Sequence, residues 1–174
     1  MKSIKYLFPF LISLFFLQFT GCNELNSIPL NIPITITFNN QTGSNINFDS
    51  GLYCLSDSSQ TYKEYQDKIN SLTFVQAAFR TISNSNPDFQ GNISATVKNQ
   101  NGVVLASFQM NNIKPGDYVE NPLILHLDQT EISAINAALA NSTCLEAIVK
   151  ITSSGGSTTI SGAVDMVFQA DTEL

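Results

Sequence analysis

The chain has 174 residues, 43% of them hydrophobic, with 14 acidic and 8 basic side chains for a formal net charge of −6. Lys2 and Lys5 take two of the eight basic groups, so beyond the first segment six face all fourteen acids, a balance that repels nucleic-acid phosphates. The length suits one ordinary domain plus a leader, and the acids, from Asp49 and Asp57 to Asp117, are scattered rather than spaced as a calcium loop.

Met1 to Lys5 carries two positive charges, and Tyr6 to Phe19 is a mostly apolar run broken by Pro9, Ser13 and Gln18. As a helix this run would span about 21 Å, short of the roughly 30 Å hydrocarbon core of a bilayer. A basic start, a short apolar middle and small residues at the end predict a secretory leader over residues 1–21.

The run ends in Gln18-Phe19-Thr20-Gly21-Cys22. That ending resembles the lipobox of bacterial lipoproteins, in which a small residue precedes a cysteine that receives a diacylglyceryl thioether before cleavage. Gly21 and Cys22 match the pattern and Thr20 is compatible with it, while Phe19 stands where an aliphatic residue is commonest. The resemblance implies cleavage after Gly21, lipidation of Cys22, and a place in the cell envelope with the membrane as partner through that lipid. A plain secretory signal that ends near a cysteine is the other reading. Asn23 differs from the aspartate that resembles an inner-membrane retention signal, which points to the outer membrane. One acyl chain binds a bilayer only marginally, whereas two or three hold stably. Residues 22–31 are then expected to form the lipidated N-terminus and a short linker, stiffened near its exit by Pro29 and Pro33. The stretch from Asn23 to Asn31 reaches at most roughly 30 Å, so the domain, expected over residues 32–174, sits near the bilayer.

With Cys22 lipidated, Cys54 and Cys144 remain as an even pair in an exported protein, which suggests a disulfide. Two separately buried thiols acting as small hydrophobes are the alternative. Neither cysteine has C-x-x-C spacing.

Ile32, Ile34, Ile36 and Phe38 alternate with smaller or polar residues and predict a first strand, closed by the turn residues from Asn39 to Gly43. A second strand is expected over Ile46–Cys54 with a kink at Gly51. Ser56 to Gln60 reads as a loop, and Thr61 to Ser71 as a short helix capped by Ser58 or Ser59. Leu72 to Ser83 returns to strand chemistry, with Val75, Ala77, Phe79 and Thr81 on one face. Asn84 to Asp88 is a turn. Asn92–Val97 and Val103–Met110 flank Asn99-Gln100-Asn101-Gly102, whose Asn-Gly pair signals a hairpin. Lys114-Pro115-Gly116-Asp117 marks another turn, after which Leu123, Leu125 and Leu127 alternate with Ile124 and His126. Asp128-Gln129-Thr130-Glu131 has the form of a capping box for a helix to about Asn141 that buries Ile132, Ile135 and Leu139. Leu145, Ala147, Val149 and Ile151 define a further strand, and Ser153 to Gly156 turns the chain. Ile160, Val164, Met166 and Phe168 then supply the inner face of the last strand. The fold class expected from this pattern is mainly β: an antiparallel β-sandwich of about eight strands with two short crossover helices plugging its ends. It is loosely similar to immunoglobulin-like and LEA-type sandwiches.

Little in the pattern points to chemistry. His126 is the sole histidine and is expected to face solvent or a strand edge. A triad needs a nucleophile and an orienting carboxylate beside it, and adjacent Asp128 does not make one. One histidine and two cysteines expected to pair do not supply a zinc ligand set. Gly155-Gly156 lies among serines without the lysine of a phosphate loop, and no G-x-S-x-G occurs. No cofactor, metal or catalytic residue is implied. Tyr53, Tyr62, Tyr65 and Tyr118 are expected to close the rim of a core, rings inward and hydroxyls wet. The expected role is a non-catalytic, membrane-anchored structural or interaction module that meets an envelope protein or polysaccharide through its loops. A carrier or sensor holding a small apolar ligand between the sheets is the alternative, motivated by twelve phenylalanines.

Overall fold

In the computed structural model, residues 27–153 and 156–173 are described. The alternating segments become eight strands: β1 (Ser27–Gly43), β2 (Asn45–Cys54), β3 (Ile69–Asn84), β4 (Gly91–Asn99), β5 (Val104–Ile113), β6 (Leu123–Leu125), β7 (Cys144–Ser153) and β8 (Thr158–Glu173). Three short α-helices, α1 (Leu55–Ser58), α2 (Gln60–Tyr65) and α3 (Gln129–Leu139), and two 3₁₀ turns, Gln66–Lys68 and Pro115–Tyr118, lie between them among the described residues.

All pairings are antiparallel, and the strands form two four-stranded sheets in the orders β1-β8-β3-β6 and β2-β7-β4-β5. The chain changes sheet at every connection except the β4–β5 hairpin. Eight strands arranged this way make a jelly roll. The expected β-sandwich is therefore present, but its order is not immunoglobulin-like, because that fold keeps its first two strands in one sheet and here β1 and β2 are in different ones.

Inward residues of both sheets interdigitate. Ile32, Ile34, Ile36 and Phe38 of β1 are buried, as are Leu145, Ala147, Val149 and Ile151 of β7 and Ile160, Val164, Met166 and Phe168 of β8. Phe38 bridges the layers, with ring centroids 4.8 Å from Phe48 of β2 and 6.2 Å from Phe79 of β3. Its cross-strand partner is Gly162, where an added Cβ would lie 2.5 Å from the Phe38 ring. Glycine there lets the aromatic ring cover the central strand.

Three boundaries differ from the sequence expectation. β1 begins at Ser27 rather than Ile32, because β8 is long enough to pair with it from Ser27↔Glu173 onward. β1 is an edge strand, so Pro29 and Pro33, four residues apart, turn their nitrogens to one side and need not interrupt the ladder. The expected linker over residues 22–31 thus loses its second half to the sheet. The helix expected over Thr61–Ser71 is instead α1, α2 and a 3₁₀ turn at Gln66–Lys68, since Ser59 is extended (φ −110°, ψ 115°) and its side chain accepts from the Tyr62 N–H. Ile69 already pairs with Thr172, so the strand starts three residues before Leu72. Val75 is exposed rather than inward: the register of β3 on β8 shifts between Phe74 and Gln76, which buries Phe74 and Ala77 and turns Val75 out. Gly51 (φ 59°) does sit at an irregularity, between Asp49 and Leu52.

β6 pairs over three residues only, Leu123 to Leu125 with Phe79 to Ala77, which would leave edges of β3 and β5 open. α3 covers them. Asn136 Oδ1 accepts the Phe74 N–H at 2.8 Å, and Glu131 Oε1 accepts the Ser107 N–H at 2.9 Å. The expected capping box orients this helix: Asp128 Oδ1 accepts the Glu131 N–H, and Glu131 Oε2 accepts the Asp128 N–H.

Candidate functional site

The antiparallel winding gives the sandwich two chemically distinct ends. One end holds the start of β1 at Ser27, the close of β8 at Glu173, helices α1 and α2, the β4–β5 hairpin and α3. The opposite end holds the connections β1–β2, β3–β4, β5–β6 and β7–β8. Sequence reasoning found the turns but not their grouping, because grouping follows from strand order.

Cys54 and Cys144 meet at the first end, as directly opposed residues of β2 and β7 joined by a disulfide across a sequence separation of 90. Gly21 and Cys22, the expected cleavage and lipidation residues, lie outside the described residues. Cys22 stands five residues ahead of Ser27 in sequence, a stretch that reaches at most about 18 Å.

The opposite end is a fabric of Asn, Ser, Thr and Gly. Ser85 and Thr159 exchange two bonds, the Ser85 N–H donating to the Thr159 carbonyl at 2.9 Å and the Thr159 N–H to Ser85 Oγ at 2.8 Å. Asn84 Oδ1 accepts from both the Asn86 N–H and the Thr158 hydroxyl. Thr81 Oγ1 donates to the Pro115 carbonyl at 2.6 Å, which ties the β5–β6 connection to β3. Phe89 is fully buried and pins the β3–β4 connection to the core. At Gly91 an added Cβ would lie 2.4 Å from the Thr152 carbonyl oxygen, so only glycine lets β4 start against β7. These loops are therefore held in place by backbone and short polar side chains. Pro87, Asp88 and Asp117 project from them and are exposed.

His126 is exposed just after β6, and Asp128 is committed to capping α3 rather than to orienting an imidazole. Among the described residues no three His, Cys, Asp or Glu side chains gather as a metal site. Tyr53, Tyr62 and Tyr118 pack against the core, with the Tyr118 hydroxyl 3.9 Å from Met110 Sδ. Tyr65 departs from the expected rim role: it is 40% exposed and lines a groove of about 250 Å³ with Ile28, Leu30, Lys68, Thr172 and Glu173. Three separate segments build that groove, so no local pattern announced it. Between the sheets, the cavity lined by Phe74, Ala77, Ala95, Val97, Ala106 and Phe108 measures about 20 Å³.

No protein-family model and no curated protein matches the chain. Among solved structures it is similar to Desmodium yellow mottle tymovirus, at 9% identity and a TM-score of 0.43, over 85% of this chain and 89% of that one. Turnip yellow mosaic virus gives 9% identity and a TM-score of 0.43, over 85% and 95% of the two chains. The infectious bursal disease virus VP2 subviral particle gives 11% and 0.41, over 83% of this chain and 36% of that one.

Proposed function

We propose that the chain is a lipoprotein of the bacterial cell envelope, held at the outer membrane by lipid on Cys22. Its jelly roll acts as a non-catalytic interaction module that presents the loops opposite the tether to an envelope protein or polysaccharide. The supporting observation is the polarity of the sandwich. β1 starts at one end, five residues after Cys22, and the polar loops around Asn84, Pro87 and Pro115 lie at the other. A tether at the first end leaves the second facing away from the bilayer. The leader over residues 1–21 and the Gly21-Cys22 pair support the address.

The packing favours display over carriage of an apolar ligand. Ligand sites usually enclose about 300 Å³ or more, far above the roughly 20 Å³ of the cavity that Phe74, Ala95 and Phe108 line among the described residues. Fractionation of cells expressing the full chain and a variant whose residues 1–22 are replaced by a cleavable, non-lipidated export leader tests the tether: the parent is expected in the membrane fraction and the variant in the soluble extract. Equal partition of the two would overturn it. Cross-linking from position 88 in intact envelopes tests the display, and capture from that loop no greater than from the Asn101 hairpin at the tethered end would count against it.

A further inference from the structure

The groove at the tethered end has a composition that a solvated end does not require. Ile28 is 48% exposed and Tyr65 40% exposed, and they share one concavity with Leu30 and Lys68. Val103 and Val104, 56% and 55% exposed, lie at the same end where the β4–β5 hairpin turns. At the far end the large apolar side chains of comparable exposure among the described residues are Ile82, 45% exposed near the close of β3, and Val119, 49% exposed. The apolar surface is thus weighted toward the end from which the chain leads back to Cys22.

We propose that this groove is a docking surface for the phospholipid bilayer, with Tyr65 and Ile28 entering the headgroup region and Lys68 reaching lipid phosphate. The inference rests on the lipoprotein reading above. Ile28 is six residues from Cys22, so the chain between lipid and groove reaches at most about 22 Å and the groove cannot leave the membrane surface far behind. A tyrosine ring at a half-wet apolar site suits the membrane interface, where its body is buried and its hydroxyl hydrated. Lys68 can lay its methylene stem along the groove and keep its ammonium among phosphates. The net negative charge of the chain gives no general attraction to an anionic surface, so the contact is local and apolar. Tethering supplies the rest: a surface already held at high effective concentration engages through a patch too small to bind from solution.

The chain contains no tryptophan, so one introduced indole is a clean depth reporter. Full chains carrying Tyr65→Trp, Ile28→Trp or, in the far loop, Asp88→Trp are expressed with their own leader and reconstituted into phosphatidylcholine vesicles with brominated acyl chains. All three are expected to float with the vesicles. Emission from positions 65 and 28 is expected to fall by roughly half or more, as for side chains seated about 5–10 Å into the headgroup and acyl boundary, while position 88 stays unquenched. If all three float and positions 65 and 28 are quenched no more than 88, the seating is overturned and the tether stands. If none floats, the tether fails and the seating with it. Two reporters in the groove guard against one substitution disturbing the fold.

Discussion

Replacing Cys54 and Cys144 together by alanine removes the covalent link between the end of β2 and the start of β7. The bridge closes a loop with a sequence separation of 90, for which chain entropy gives about 4–5 kcal/mol of stabilisation at 25 °C. The structure adds a local term. β2 is an edge strand whose register on β7 is interrupted between Asp49 and Leu52, leaving Leu52↔Glu146, Tyr53↔Leu145 and Cys54↔Cys144 beyond the irregularity. There Ser50 Oγ accepts the Ala147 N–H, so a side chain stands in for a ladder bond. Without the bridge those three rungs are expected to open first. Urea unfolding of the oxidised protein and the double variant measures the total, and hydrogen exchange at residues 52–54 and 145–146 measures the local part. The expected loss is about 3–5 kcal/mol, with a larger m-value for the variant because its unfolded chain is less constrained. A loss below about 1 kcal/mol would refute the claim that the bridge chiefly restrains the unfolded chain.

Gly91→Ala drives a Cβ into the Thr152 backbone; strand separation is expected to cost about 2–3 kcal/mol net of the stiffer unfolded chain, lowering Tm by roughly 5–10 °C. Differential scanning calorimetry checks it, and an unchanged Tm would mean β4 and β7 lie farther apart than described. Asp128→Ala removes the cap of α3 and one half of the capping box, an expected loss of about 1–2 kcal/mol, with faster exchange of the Ser107 N–H as Glu131 loses its fixed position. Asn136→Leu leaves the Phe74 N–H without its acceptor and is expected to cost about 1–3 kcal/mol in urea unfolding. Phe89→Ala empties a fully buried site under the β3–β4 connection; about 3–5 kcal/mol of stability and the protection of the Ser85 N–H are expected to be lost together.

Much of the sandwich was legible because its strands are half-buried. Ile32 to Phe38 and Leu145 to Ile151 alternate strictly, and that alternation is what packing on one face imposes, while β8 is buried without a break from Ile160 to Val164. The capping box at Asp128 and Glu131 was legible because its two reciprocal bonds form within four consecutive residues, whereas the further bond of Glu131 to Ser107 was not. Val75 was placed on the wrong face because a register shift on a distant strand, β8, turned it out, and nothing in the residues flanking Val75 encodes that partner. The helix expected to reach Ser71 ends earlier for the same reason, since Thr172 recruits Ile69 into β3. Strand order was not legible at all: the same period-two segments serve an immunoglobulin-like or a jelly-roll order. The groove at Ile28, Tyr65 and Lys68 depends on that order, as does the grouping of the polar loops at the far end. The pairing of Cys54 with Cys144 was legible by counting, once Cys22 was given to the lipid.

The account turns on what happens at Cys22. Mass spectrometry of the N-terminal peptide, from full chain expressed in a bacterial host and extracted from membranes, tests it most directly. The account predicts a chain that begins at Cys22, lacks residues 1–21 and carries the added mass of a diacylglyceryl thioether. A chain that begins at Cys22 or nearby with an unmodified thiol, or one that retains Gly21, would contradict it.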